Sequence, residues 1–74
     1  DLATSLNNLG SIYQDLADYA KAEQYKRRAL EIKERTLPPN SLSLASSYTN
    51  LASVYSATGD EEKALELYRR SLEI

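Results

Sequence analysis

The side chains that could perform chemistry in this chain are hydroxyls, carboxylates and amines, because its 74 residues include neither histidine nor cysteine. A serine nucleophile needs a neighbouring base, for which histidine is the usual choice, and no thiolate is available. The carboxylates that lie closest together flank two turn segments, where helix capping explains them: Asp15, Asp18, Asp60, Glu61 and Glu62. We therefore predict a protein that is not an enzyme, with no metal site and no cofactor.

A basic run, Lys26-Arg27-Arg28, raises the question of a phosphate-binding surface. Glutamates are interleaved with it, and Glu31 is spaced to pair with Arg28 or Arg35 on one helix face. The formal net charge of −2 is also unlike the strongly basic footprint of nucleic-acid-binding proteins. The pattern favours a solvated helix face, and no nucleic-acid partner is expected.

The chain has no apolar run long enough to cross a membrane, and without cysteine it has no disulfide framework. These two features are typical of soluble proteins of a reducing compartment. We expect a cytoplasmic protein with no membrane partner.

The sequence repeats itself with a period of 42 residues. Tyr13 recurs as Tyr55, Lys21-Ala22 as Lys63-Ala64, and Leu30-Glu31-Ile32 as Leu72-Glu73-Ile74. Self-similarity at a fixed period of this size is typical of proteins built from stacked structural units. The length allows one domain, residues 1–74, with a first copy at about 1–41 and a second at 43–74.

Each copy has the pattern of two helices joined by a short turn. Pro38-Pro39 must end the second helix, and Asn40 or Ser41 offers a side-chain oxygen as N-cap of the third. Gly59 suits a left-handed turn before the fourth helix, and Ala17 is its equivalent in the first copy. The sequence predicts an all-α protein with helices near residues 2–16, 19–36, 42–58 and 61–74.

Apolar residues recur at spacings of three and four in the first and third predicted helices. The two stripes are Leu2, Leu6, Leu9, Tyr13 and Leu16, and then Leu44, Tyr48, Leu51 and Tyr55. We expect these tyrosines to belong to the core. The small residues Ala22 and Ala64 are expected to let the two helices of each copy approach closely.

The order of these residues resembles the tetratricopeptide repeat, whose pattern has a period of about 34 residues. The matching segments are Leu6-x₂-Leu9-Gly10-x₂-Tyr13 followed by Ala22, and Tyr48-x₂-Leu51-Ala52-x₂-Tyr55 followed by Ala64. The longer period of 42 is similar to the kinesin light chain type, whose repeats serve as cargo-binding adaptors. The resemblance implies two stacked antiparallel helix hairpins, a fragment of a right-handed α-solenoid. Lys26 replaces the packing aromatic of the pattern, so Tyr25 or the Lys26 stem must fill that volume.

The resemblance also implies a binding surface for a peptide segment of a partner protein, on a concave face lined by the first helix of each copy. The residues that would form it are Asn7, Asn8, Ser11, Gln14, Ser46, Thr49, Asn50 and Ser53. Asn8 and Asn50 can pair with a peptide backbone, or they can bond helix carbonyls and hold the stack in register. Residues 2–16 and 42–58 contain no Lys or Arg, so no clamp for a carboxylate is expected there.

An alternative function is structural. Repeats bury their apolar faces on their neighbours, and two copies leave two faces open. The chain would then be a designed or excised repeat fragment that folds and self-associates. Self-association would occur by end-to-end stacking or by exchange of a hairpin across Leu37–Ser41.

Overall fold

Four α-helices make up the computed structural model, which describes residues 1–74: α1 (Leu2–Asp15), α2 (Tyr19–Thr36), α3 (Leu42–Thr58) and α4 (Glu61–Leu72). The predicted all-α class is confirmed. The observed bounds match the predicted ones, except that α1 and α4 end slightly earlier than expected. None of the four helices combines the length and apolar character that crossing a membrane requires.

Aspartate side chains begin three of the helices. Asp1, Asp18 and Asp60 each accept a hydrogen bond from the backbone N–H three residues later, at 2.8, 3.3 and 3.4 Å. These bonds satisfy donors that a helix start would otherwise leave unpaired. The N-cap of α3 is Ser41, one of the two residues predicted, but its hydroxyl makes no capping bond. The break before α3 therefore depends on Pro38-Pro39, which prevents α2 from continuing.

The turns within the two hairpins have the same backbone geometry. Gly59 has a φ of 86°, and its equivalent Ala17 has a φ of 62°. In both turns the next residue donates its N–H to a tyrosine carbonyl at 2.9 Å, from Asp18 to Tyr13 and from Asp60 to Tyr55. The turn therefore requires a left-handed residue at both places, although only the second copy supplies glycine.

Replacing Ala17 with glycine is accordingly expected to stabilise the protein. A left-handed conformation costs a residue with a Cβ about 1–2 kcal/mol, and glycine's greater freedom in the unfolded chain offsets part of the gain. We expect Ala17→Gly to raise the free energy of unfolding by about 0.5–1 kcal/mol, measured by urea denaturation. The reverse change at the equivalent position, Gly59→Ala, should lower it, and a destabilised Ala17→Gly variant would contradict this geometry.

The core lies around α3, because α3 packs against α2 on one side and α4 on the other. Its predicted stripe is confirmed, since all four of its members are buried, and they join Leu30, Ala52 and Ala64 in one cluster. The stripe predicted for α1 is partly wrong. Leu2 and Leu16 are exposed, and Leu9 and Tyr13 are only half-buried. The reason is that α1 packs mainly against α2, and no helix covers its outer side.

The helices of each hairpin approach closely at the predicted alanines. Ala22 and Ala64 are both buried. A Cβ added at Gly10 of α1 would lie 3.2 Å from the carbonyl oxygen of Ala22 and 2.6 Å from Cγ of Lys26. Lys26 is itself buried, so its stem fills the volume that an aromatic side chain has in the tetratricopeptide pattern.

Candidate functional site

The residues predicted to bind a partner lie on one helix of each hairpin. We call the surface that they form the α1–α3 face: Asn7, Asn8, Ser11 and Gln14 on α1, and Ser46, Thr49, Asn50 and Ser53 on α3. Asn8, Ser46 and Thr49 are exposed, and the other five are half-buried. The face is polar and carries no formal charge of its own.

The three asparagines of this face have side chains without hydrogen bonds inside the protein. Neither Asn8 nor Asn50 bonds a helix carbonyl, although the Asn50 backbone oxygen accepts a bond from the Ser53 hydroxyl at 2.8 Å. Thr49 differs from them, because its hydroxyl meets that of Ser71 on α4 at 2.9 Å. The amides of Asn8 and Asn50 thus remain available for hydrogen bonds to another molecule.

Gln14 joins the two hairpins. Its Nε2 donates to Oγ of Ser53 at 3.4 Å, and its Oε1 accepts from Nζ of Lys26 at 2.8 Å. The result is a polar connection from α2 through α1 to α3. Among the predicted residues, Gln14 and Ser53 are thus joined by a hydrogen bond across the hairpins, so their side chains already have partners within the protein.

The ammonium of Lys26 reaches this face from α2, which sequence analysis did not predict. Only 5% of the residue is exposed, and no carboxylate lies within ion-pair distance of its ammonium. Burial lowers the pKa of Lys26, and the nearby charge of Asp15 offsets part of that effect. The sequence did contain a signal, since a lysine occupies an aromatic position of the pattern.

The structure has a concavity elsewhere, lined by residues of α2, α3 and α4. It is a groove of about 320 Å³ between α2 and α4, floored by Tyr48, Leu51 and Tyr55. Charged side chains of both signs form its two walls: Arg27, Glu31 and Glu34 on α2, and Lys63, Glu66 and Arg70 on α4. Sequence analysis did not predict this groove.

The charges along the groove are largely paired within the protein. Arg27 forms an ion pair with Glu23 at 2.7 Å and donates to the Tyr55 hydroxyl, and Arg70 pairs with Glu66 at 3.2 Å. Glu31 forms no ion pair, so the pairs expected for it with Arg28 and Arg35 are absent. The walls thus present few unsatisfied groups to a ligand.

The tyrosines in the floor of the groove are held in their neutral form. Burial raises the pKa of Tyr48, and its hydrogen bond to Glu34 at 3.1 Å adds to the effect. Burial also raises the pKa of Tyr55, against the opposing charge of Arg27. Neither tyrosine is poised to act as a base or nucleophile near neutral pH. No three carboxylates cluster closely enough to hold a metal ion.

Comparison with known families agrees with this architecture. The sequence matches the family described as tetratricopeptide repeat over residues 1–74. No curated protein matches the sequence. The matched residues include both copies of the repeated spacing of leucine, small residue and tyrosine. The chain belongs to the tetratricopeptide repeat family.

Proposed function

We propose that the chain is a protein-interaction module that holds an extended segment of a partner protein on its α1–α3 face. Membership of the tetratricopeptide family supports a general role in protein–protein interaction. The observation that carries the finer proposal is the pair of free amides on Asn8 and Asn50, which lie 42 residues apart in the sequence and occupy equivalent places on α1 and α3. Two equivalent amides can each form hydrogen bonds with the backbone of one extended peptide, whose donors and acceptors recur along its length.

The alternative role for these asparagines was to hold the stack in register through bonds to helix carbonyls. On this face a hydrogen bond between Gln14 and Ser53 links the two hairpins. Residues of two kinds therefore share this face. Gln14, Ser53 and Lys26 fix its shape, and the asparagines contact the partner.

Replacing both asparagines with alanine tests this proposal. The probe is a peptide selected by the wild-type chain from a random peptide library, and its affinity is measured by isothermal titration calorimetry. Two lost hydrogen bonds of about 1 kcal/mol each should weaken binding by about tenfold or more. The melting temperature should change little, because neither amide bonds the protein itself.

Asn40→Ala is the matched control, since Asn40 is an exposed asparagine in the linker between the hairpins. It should bind the selected peptide as the wild type does. Unchanged binding by the Asn8→Ala/Asn50→Ala variant would refute the proposal, and so would a library from which the wild-type chain retains no peptide.

The period of 42 supports two finer assignments. We take residues 1–41 and 43–74 as two units of the kinesin light chain type, with a cargo-binding role for the α1–α3 face. A cytoplasmic location and the absence of nucleic-acid and membrane partners stay predictions from composition.

A second function is self-association, and exposed apolar residues at the two outer faces of the molecule favour it. Leu2 and Ile12 are exposed on α1, and Leu65 and Leu72 on α4. End-to-end stacking would cover these residues. Exchange of a hairpin across Leu37–Ser41 would leave them in water, and we therefore favour stacking.

A further inference from the structure

The period of 42 allows each residue to be compared with its own equivalent in a different environment. Leu30 on α2 is 6% exposed, whereas its equivalent Leu72 on α4 is 86% exposed. Leu44 of α3 shares a cluster with Leu30 and is 4% exposed, and Val54 of α3 is 1% exposed, whereas their equivalents Leu2 and Ile12 of α1 are 65% and 55% exposed. The residues that form the contact between the hairpins are thus present a second time, unburied, on the two outer faces.

We propose that a second copy of this chain docks head to tail, with the outer face of α1 in one copy covering the outer face of α4 in the other. The proposal rests on the self-association put forward above and gives it a defined geometry. Whatever covers the α4 face must resemble α3, and whatever covers the α1 face must resemble α2. A second copy of this chain offers both.

A polar contact supports the same arrangement. Within the chain, Arg27 of α2 reaches across to α3, where it donates to the Tyr55 hydroxyl and lies 6.0 Å from the centre of the Tyr55 ring. Tyr13, the equivalent of Tyr55, makes no hydrogen bond through its hydroxyl, although Lys21 lies over its ring at 5.3 Å just as Lys63 lies over Tyr55 at 5.4 Å. The Tyr13 hydroxyl therefore lacks both the arginine and the carboxylate of Glu23 that bond Tyr55, and the Tyr13 ring stacks on Tyr25 with ring centres 5.5 Å apart.

Arg69 is the equivalent of Arg27, and it is exposed and forms no ion pair. In the docked arrangement, Arg69 of one copy meets the Tyr13 hydroxyl of the next. Leu72 packs on the α1 surface that carries Leu2 and Ile12, as Leu30 belongs to the cluster that includes Leu44 within the chain. One face thus supplies an unpaired cation and a leucine, and the other supplies an acceptor and an apolar surface.

The docked contact is smaller than the internal one. Glu23, which bonds both Arg27 and Tyr55, is matched by Leu65. The association is therefore weak and reversible. A head-to-tail contact does not close on itself, so the average mass should rise beyond that of a dimer as the concentration increases.

Two single variants test the geometry by sedimentation equilibrium. Leu72→Glu damages only the α4 face, and Ile12→Glu damages only the α1 face. Both residues are exposed, so the fold should be kept, which circular dichroism checks. Each variant alone should remain monomeric at concentrations where the wild type associates. An equimolar mixture should form a 1:1 pair and nothing larger, because one intact face of each kind remains.

Leu42→Glu is the matched control, because Leu42 is also an exposed leucine but lies on α3 and on neither of the two docking helices. It should associate as the wild type does. A monomeric wild type at all concentrations would overturn both the self-association and its geometry. A Leu72→Glu chain that associates as strongly as the wild type would overturn only the geometry, since hairpin exchange or pairing of two α1 faces would explain it. A mixture that stays monomeric would also overturn it. None of these outcomes bears on peptide binding at the α1–α3 face.

Discussion

Replacing Leu51 with alanine is expected to lower the free energy of unfolding by about 3 kcal/mol. Leu51 is buried in the cluster that α3 forms with α2 and α4, and truncation leaves a cavity that neighbours from three helices cannot all fill. A chain of 74 residues has a small reserve of stability, so the variant should be largely unfolded at physiological temperature. Urea denaturation followed by circular dichroism measures the change.

The internal repeat supplies the control for this prediction. Leu9 is the equivalent of Leu51, but it is only half-buried because α1 has a neighbour on one side. Leu9→Ala should therefore cost less than half as much as Leu51→Ala. Equal losses at the two positions would contradict a core centred on α3.

Replacing Lys26 with methionine is expected to raise the free energy of unfolding at neutral pH by about 1–2 kcal/mol. The methionine matches the apolar stem and the helix propensity of the lysine, and it removes an ammonium that is buried without a carboxylate partner. Gln14 loses its bond from Lys26, but it is half-buried, so water can replace that donor. An exposed basic residue on the same helix, Arg35, is the control, and Arg35→Met should change stability by less than about 0.5 kcal/mol.

The pH dependence of this effect has a defined sign. Burial lowers the pKa of Lys26 in the folded state, so the unfolded chain binds more protons between the folded pKa and the ordinary pKa of lysine. The wild type therefore gains stability as the pH rises through that interval, and Lys26→Met does not. The gap between the two chains should narrow as the pH approaches about 10.

The comparison must be made between the two chains, because Tyr48 and Tyr55 titrate in the same range. Their pKa values are raised by burial, so they remove stability as the pH increases past their ordinary pKa. Both chains share this loss, so it cancels in the difference between their free energies of unfolding. A stability gap that stayed constant with pH would show that the Lys26 ammonium is not the cause.

The sequence predicted the helices well because its strongest signals are local. Prolines at 38 and 39, Gly59 and the capping aspartates act within a few residues, and the structure places helix ends beside them. The apolar spacing of α3 also predicted its buried residues. The same spacing failed for Leu2 and Leu16 of α1, since periodicity shows which face of a helix is apolar and not whether a neighbour covers it.

The helix positions of the eight candidate residues were predictable from the sequence, and their contacts were not. The resemblance placed eight residues on α1 and α3, but it could not show that Gln14 and Ser53 bond each other while Asn8 and Asn50 stay unbonded. The expectation that no carboxylate clamp lies on this face was drawn from the residues of α1 and α3 alone. Lys26 reaches it from α2, because a long side chain at a packing position extends beyond its own helix.

The central claim is that the α1–α3 face, and not the groove between α2 and α4, receives the partner. Mapping amide chemical shifts by NMR while the selected peptide is added tests it most directly. We expect the largest chemical-shift changes at the side-chain amides of Asn8 and Asn50 and at the backbone amides of Ser11 and Ser46. Shifts confined to the groove, at Glu31, Tyr48 and Glu66, with the asparagine amides unmoved, would contradict it.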